Sequence, residues 1–380
     1  MKSKLAILGT FVLVLALVVP YATGQTCTPP PPGLVSWWTA DGTTLDFLGN
    51  NNGTAVAATG SSFGYAAGEV ADAFSFTGTQ YVDVPRSASL EPAHVTVDAW
   101  VNSPAFPGAF KYVVSKGGVD NTAASYALYT GKGGDPFGLF FYVYDGTGVT
   151  GVHYSPGALS ANVWNGAWHH VAGSYDGTDV HLFVDGTEVS PPGTATAAAI
   201  AYSLTDTNDL FIGNYDPSCG SSEGCVDARF IGEIDEVEVF NNALSAASIA
   251  AIHTAGTSGK CLPAKIQVGF TIPDILELFF AGRLTIDIFG TPAFNTGSIV
   301  QSSLLLLPAD TGRNRNETVK CISKDVKGDT IPGLECRFPV DLFQLLTTPH
   351  LTVTVDGLVT VPGGERIFTG SENLAPQGSH

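Results

Sequence analysis

From position 168 the chain alternates with a period of two. Val171, Gly173 and Tyr175 fall on one side and Ala172 and Ser174 on the other, before Asp176-Gly177, a return over 180–184, and Asp185-Gly186. A period of two marks a strand and Asp-Gly marks a tight turn, so the segment is a hairpin followed by a further turn. The same rhythm predicts strands at 81–84, 95–101, 112–115, 126–130, 139–144, 169–175, 180–184 and 210–213. A closing strand at 233–240 precedes the one helical pattern, with Ser245 as N-cap, Ile249 and Ile252 on one face, and Gly256 at the C-terminal cap. Further short runs at 266–272, 284–289, 303–307 and 351–355 predict a second all-β unit.

Residues 1–24 read as a signal peptide: Lys2 and Lys4, an apolar run from Leu5 to Val19, then the small residues Ala22-Thr23-Gly24. Cys27 lacks the aliphatic residue that a lipidation signal places before it, and no later apolar run is long enough to span a membrane. The expected product is secreted, without membrane insertion. A Pro-rich lead occupies 25–32. The first domain then covers 33–256, a linker 257–265, the second domain 266–369 and a polar tail 370–380. The 44 Gly and 23 Pro suit a turn-rich β fold. A net charge of −18 makes nucleic acid, other polyanions and an anionic membrane poor partners, and none is expected.

The strings WHHVAGSYDGTDVHLFVDGTEV, GLVSWWTADGTTLDFLGNNNGT and FIGEIDEVEVFNNALSAASIAAIHTAG together resemble the LamG-like jellyroll family of concanavalin A-like sandwiches. The resemblance implies an all-β fold, a concanavalin A-like jellyroll β-sandwich followed here by a second, smaller β-sandwich domain. It implies a binding or adhesion module as readily as a glycosidase, because function lives in the site rather than in the fold. The segment from Ile286, with CISKDVKGDTIPGLECRF, resembles a small β module of exported bacterial proteins that carries a calcium loop. Lys327 and Thr330 depart from that loop's pattern. An ammonium repels a cation, so a disulfide rather than calcium is expected to hold it beside Asp325 and Asp329.

Six cysteines in an exported chain point to disulfides. Cys219 and Cys225 flank one short loop and Cys321 and Cys336 another, which leaves Cys27 and Cys261. The first and last strands of a jellyroll lie side by side, so that pair would staple its ends. A zinc site is the competing reading, and the spacings do not fit a C-x-x-C knuckle.

The strongest enzymatic pattern is E-x-D-x-x-E at Glu233, Asp235 and Glu238. It resembles the motif of retaining β-glucanases, in which a bulged strand sets a nucleophile and an acid about 5 Å apart. Here it lies at the end of the domain, just before the closing helix, and its flanks follow the LamG-like pattern. The expectation is therefore a non-enzyme, with a glycoside hydrolase using Glu233 and Glu238 as the alternative. Gly220-Ser221-Ser222-Glu223-Gly224 matches G-x-S-x-G only as a cysteine-flanked loop, without the strand and helix that a nucleophile elbow needs. His169 and His170 are adjacent strand residues on opposite faces and cannot readily chelate one ion.

The candidate metal set is Asp46, Asn50 and Asn52 in a Gly-flanked, oxygen-rich loop. The resemblance adds Asp235, for a structural calcium ion, against the alternative of an ordinary Asn-Gly turn. For ligand binding, Tyr142 and Tyr144 alternate with Leu139, Phe141 and Val143 and are expected on the exposed face as sugar platforms, against the alternative of a second core layer. Trp37, Trp38 and Trp100 are expected as core anchors. The functional expectation is a secreted, non-catalytic module recognising extracellular glycan or a surface protein partner, with a structural or adhesion protein as a further alternative.

Overall fold

The computed structural model describes residues 27–119, 123–132, 136–194, 198–215, 228–269, 283–307, 319–326, 331–340 and 351–374. The signal segment 1–24, the Cys219 and Cys225 pair with its 220–224 loop, and Lys327, Asp329 and Thr330 lie outside the described residues.

Two antiparallel sheets form the first unit. One runs Thr187–Glu188, Asp179–Val184, His169–Tyr175, Val95–Asn102, Ile231–Phe240, Asp72–Thr77, Gly64–Ala67. Leu34–Trp38 adds to it alongside Ile231–Phe240, and Gly193–Thr194 beside Asp179–Val184. The other runs Val152–Tyr154, Phe137–Tyr144, Tyr126–Tyr129, Tyr112–Gly118, Thr207–Ile212, Gln80–Val84, Thr54–Ala57, with Ala158–Leu159 on its edge. Val97, Ala99 and Val101 of the first sheet share one core with Leu139, Phe141 and Val143 of the second. A slip of one residue in either strand would turn this set outward, so the buried face fixes the register. Gly173 belongs to the same fit: a Cβ there would stand 2.1 Å from the Phe141 ring. The helix Ala246–Ala255 begins at Ser245, whose hydroxyl accepts from the Ser248 amide at 3.1 Å. Ile249 and Ile252 seat it on Ala172, Phe183 and Phe240, on the outer face of the first sheet.

Two four-stranded sheets make the second unit: Leu262–Pro263, Gly364–Leu374, Leu351–Val361, Ile299–Leu307, and Ile266–Val268, Arg283–Ile288, Gly333–Pro339, Lys320–Lys324. Its core holds Leu284, Ile286, Phe338, Val355 and Phe368, and it also takes Trp37 and Phe47 from the first unit. Successive strand residues point to opposite faces. Trp38 accordingly enters the jellyroll core while Trp37 enters the second one.

Two sequence boundaries need correction. Residues 257–265 are not a free linker, because Lys260 and Cys261 are buried and Leu262–Pro263 pairs in parallel with Gly364–Leu374. The tail at 370–380 begins inside a strand, since Gly364–Leu374 continues to Leu374. Cys27 is bonded to Cys261, and Cys321 to Cys336 across paired strands.

Candidate functional site

The sequence places Phe140, Tyr142 and Tyr144 on the face opposite Leu139 and Phe141, and the fold agrees. The expected exposure of Tyr142 and Tyr144 does not hold, since they are 2% and 5% accessible. The Tyr142 hydroxyl accepts from the Ala124 amide at 2.9 Å, and the Tyr144 hydroxyl from the Gly148 amide at 3.1 Å. Loops from elsewhere in the chain therefore cover this face and make it a second buried layer.

That layer is rich in tyrosine. Tyr112 lies 5.3 Å from Tyr129 and 4.9 Å from Tyr215 between ring centroids, and Tyr129 lies 5.2 Å from Tyr142. The layer reaches solvent at Tyr154, which is 46% exposed and whose ring is 5.5 Å from Tyr142 and 6.4 Å from Tyr129. Phe137 and Leu159, paired across neighbouring edge strands, are also exposed. Burial pushes the hydroxyl pKa values of Tyr112, Tyr129 and Tyr142 well up, so these groups act as neutral hydrogen-bonding hydroxyls. Tyr112, Tyr129, Tyr154 and Tyr215 escaped the sequence reading because their meeting depends on cross-strand register, here Tyr112 opposite Tyr129 and Tyr142 opposite Tyr154. An aromatic at each of these strand positions was the available signal.

The Asp46 loop is organised by its own backbone. Asp46 Oδ1 accepts from the amides of Trp37 at 2.9 Å and Leu48 at 3.0 Å, and Oδ2 from Asn50 at 3.1 Å and Asn51 at 2.9 Å. Asn52 closes the loop by accepting from the Asp46 amide at 3.1 Å. Four N–H dipoles aim their positive ends at this fully buried carboxylate. The residues therefore do not fit a calcium ion, which needs those same lone pairs. Asp235 is engaged elsewhere, accepting from the Val70 amide at 2.9 Å. His170 is buried with Nε2 3.2 Å from Asp98, and His169 meets Asp185 at 2.8 Å, so the two imidazoles have separate partners.

Ile234, Val237 and Val239 face the jellyroll core, which puts Glu233, Asp235 and Glu238 on the opposite side of the strand. A bulge between Asp235 and Glu238 keeps them there, with Glu236 at φ +52°. The second unit roofs this face. Lys260 Nζ stands 3.1 Å from Glu238 and 3.5 Å from Glu236. Arg366 donates to both oxygens of Glu236 at 2.6 and 3.0 Å and to Asp41 at 2.9 Å. Both cations lie over the Trp37 ring, at 4.9 and 5.2 Å from its centroid. Glu238 is 0% exposed and closed off by Lys260, whereas Glu233 stays half-buried farther back on the same strand.

Five carboxyl groups, Asp41, Asp98, Asp235, Glu236 and Glu238, thus share the seam with two cations, Lys260 and Arg366. Burial pushes Asp41 up to about 6, although the adjacent Arg366 guanidinium pulls it down. Asp235 and Glu238 are pushed well up, first by burial and then by neighbouring carboxylates, with Lys260 only partly offsetting this at Glu238. Burial opposes the Lys260 charge, but Glu238, Glu236 and Asp98 outweigh it and raise its pKa. A proton on Asp235 would ease the excess of negative charge facing Lys260 and Arg366, the direction that a dry interior favours.

A comparison with curated proteins returns no match. Among solved structures, similarity is found to domain 4 of a Geobacillus stearothermophilus extracellular arabinanase in complex with arabinotriose (18% identity, TM-score 0.43, 57% of this chain and 96% of that chain). The binding domain of Paraclostridial Mosquitocidal Protein 1 is similar at 12% identity and TM-score 0.43 (86% of this chain, 77% of that chain). A Trypanosoma rangeli sialidase follows at 14% identity and TM-score 0.39 (62% of this chain, 37% of that chain). Residues 76–250 match the family described as the Concanavalin A-like lectin/glucanases superfamily. The tyrosine layer lies within that match, and the two-sheet sandwich that carries it has the concanavalin A-like fold.

Proposed function

We propose that this is an exported, non-catalytic binding protein whose jellyroll recognises glycan through the exposed end of its tyrosine layer. The observation that carries the reading is Tyr154, an exposed ring held by two buried tyrosines behind it. Sugar C–H faces stack on such rings while hydroxyls exchange hydrogen bonds with phenols. A rigid backing removes the ordering cost that a mobile platform would incur on binding. The two disulfides among the described residues suit an oxidising, extracellular setting. Among the described residues no helix is long and apolar enough to cross a membrane. The hydrolase alternative is disfavoured by Glu238, because an acid/base must reach its substrate and this carboxyl is fully buried against Lys260.

The test is a polysaccharide and glycan-array screen of the protein, run with calcium and with chelator, alongside a reducing-end assay. Binding that survives chelator and falls at least tenfold in Tyr154→Ala, without sugar release, is the expected result. Sugar release that disappears in Glu233→Gln would overturn the non-catalytic reading. Silence on every glycan would overturn the glycan reading in favour of a protein partner at the cell surface.

A further inference from the structure

The seam between the two units holds an open cleft of ≈ 210 Å³. Thr39, Asp41 and Thr43 line it from the jellyroll, and Asn295, Ser298 and Thr360 from the second sandwich. Phe47 and Phe294, edge to face at 5.9 Å, supply its aromatic wall. Asp41 is 7% exposed and lines the cleft, so its carboxyl was removed from bulk water by folding. Its Oδ2 accepts from Arg366 at 2.9 Å, and its Oδ1 holds only a long bond of 3.3 Å from the Asp72 amide. A carboxylate has about four acceptor positions, so this cleft-lining residue retains capacity beyond these two bonds. The Asn295 side-chain carbonyl accepts from the Gly297 amide at 2.9 Å, and its NH₂ is the donor of the pair.

From this lining we infer that the cleft is a second saccharide subsite, taking one neutral sugar ring at the junction of the two sandwiches. Among the described residues no cation lines the cleft, and a net charge of −18 disfavours an anionic ligand. A cationic ligand would compete with Arg366, which already occupies Asp41. A purely apolar ligand would strand the carboxyl and the hydroxyls. A polyhydroxylated ring meets all of the lining: hydroxyls for Asp41, the threonines and Ser298, and a C–H face for the aromatic wall. The volume lies below the roughly 300 Å³ at which drug-sized sites begin, so a single ring rather than a chain is accommodated. The inference rests on the glycan reading above for its ligand class only, since no residue is shared between the two sites.

Saturation-transfer NMR on the full protein tests it, with free galactose, mannose, arabinose and N-acetylglucosamine as probes. The expected result is transfer to at least one sugar that drops at least fivefold in Ser298→Trp, which fills the cleft mouth, and in Asp41→Asn. That transfer should persist in Tyr154→Ala. Transfer to none of the four, or transfer that survives Ser298→Trp, overturns the cleft proposal. Signal lost only in Tyr154→Ala leaves the jellyroll reading standing and removes the cleft. Polysaccharide binding insensitive to Tyr154→Ala, together with monosaccharide transfer sensitive to Ser298→Trp, removes the jellyroll platform and leaves the cleft standing.

Discussion

Replacing Lys260 by Met tests whether the seam is held by charge. The ammonium is 2% exposed, 3.1 Å from Glu238 and 3.5 Å from Glu236. At an effective dielectric of about 20, each contact has a gross Coulomb energy of about 5 kcal/mol. Most of this is offset by desolvation of the three groups. Removing one partner from a buried pair nevertheless costs about 3–5 kcal/mol, because the other charge is left stranded. Loss of the cation over Trp37 adds to the cost. The expected loss is therefore about 3–5 kcal/mol in equilibrium unfolding by urea. It should grow with pH, because Glu238 already has a raised pKa and loses the one cation that opposes the rise. A carboxyl with a raised pKa in the fold is most favourable below its unfolded value and loses that contribution as pH climbs through the folded one. Adding Glu238→Gln should recover at least about 1.5 kcal/mol and flatten the pH dependence, since removing both partners is milder than removing one. A single-variant loss below about 1 kcal/mol, or no recovery in the double variant, would refute the reasoning.

Asp41 gives a second pH signature. Its pKa is about 6 in the fold against 3.8 ordinarily, so its contribution is greatest below pH 3.8 and is lost as pH rises through 6. The span is worth about 3 kcal/mol. In melting curves between pH 3.5 and 7.5, Asp41→Asn should show a smaller decline with rising pH than the parent. Gly363 turns at φ +84° against the jellyroll, where a Cβ would lie 2.4 Å from Asp72 Oδ1 and 2.6 Å from the Ala71 carbonyl carbon. Gly363→Ala is expected to lower the melting temperature by strain of about 1–3 kcal/mol, and an unchanged melt would count against a close-packed seam. Removing the Cys27–Cys261 bond with paired serines should cost up to about 5 kcal/mol on the loop-entropy account, read from denaturant midpoints, because 234 residues separate the two positions.

Local signals in the sequence were faithful to the structure. The Asp176-Gly177 turn, the Ser245 cap, the Ile249 and Ile252 face and the Cys321–Cys336 bond follow from short patterns, and the Cys27–Cys261 bond from the jellyroll resemblance. What failed was exposure. Alternation correctly separated Tyr142 from Phe141, but which side meets water depends on segments such as 123–124 folding over the sheet. The GNNNG loop had the composition of a cation site. Its amides were invisible as competitors until the backbone curled them onto Asp46. The seam was the least legible feature, since Arg366 reaches Asp41 across 325 positions and neither side announces the other.

The carboxylate strand shows how residues outside a family pattern set its surroundings. The bulge that in a glucanase-like site would aim two acids at a substrate is present, with Glu236 in the left-handed region and Glu238 on the same face as Glu233. Its outcome is set by residues outside the matched 76–250 segment: Trp37, Asp41, Lys260 and Arg366. These convert an acidic strand face into a neutralised joint, closed further where Gly42 meets Pro362 and Gly363 meets Asp72. The second sandwich is thus not an appendage to the jellyroll. It takes Trp37 and Phe47 into its own core and supplies the charges that make Asp235, Glu236 and Glu238 tolerable in the interior. The same joint builds the cleft beside Asp41, so that any binding there is a property of the two units folded together.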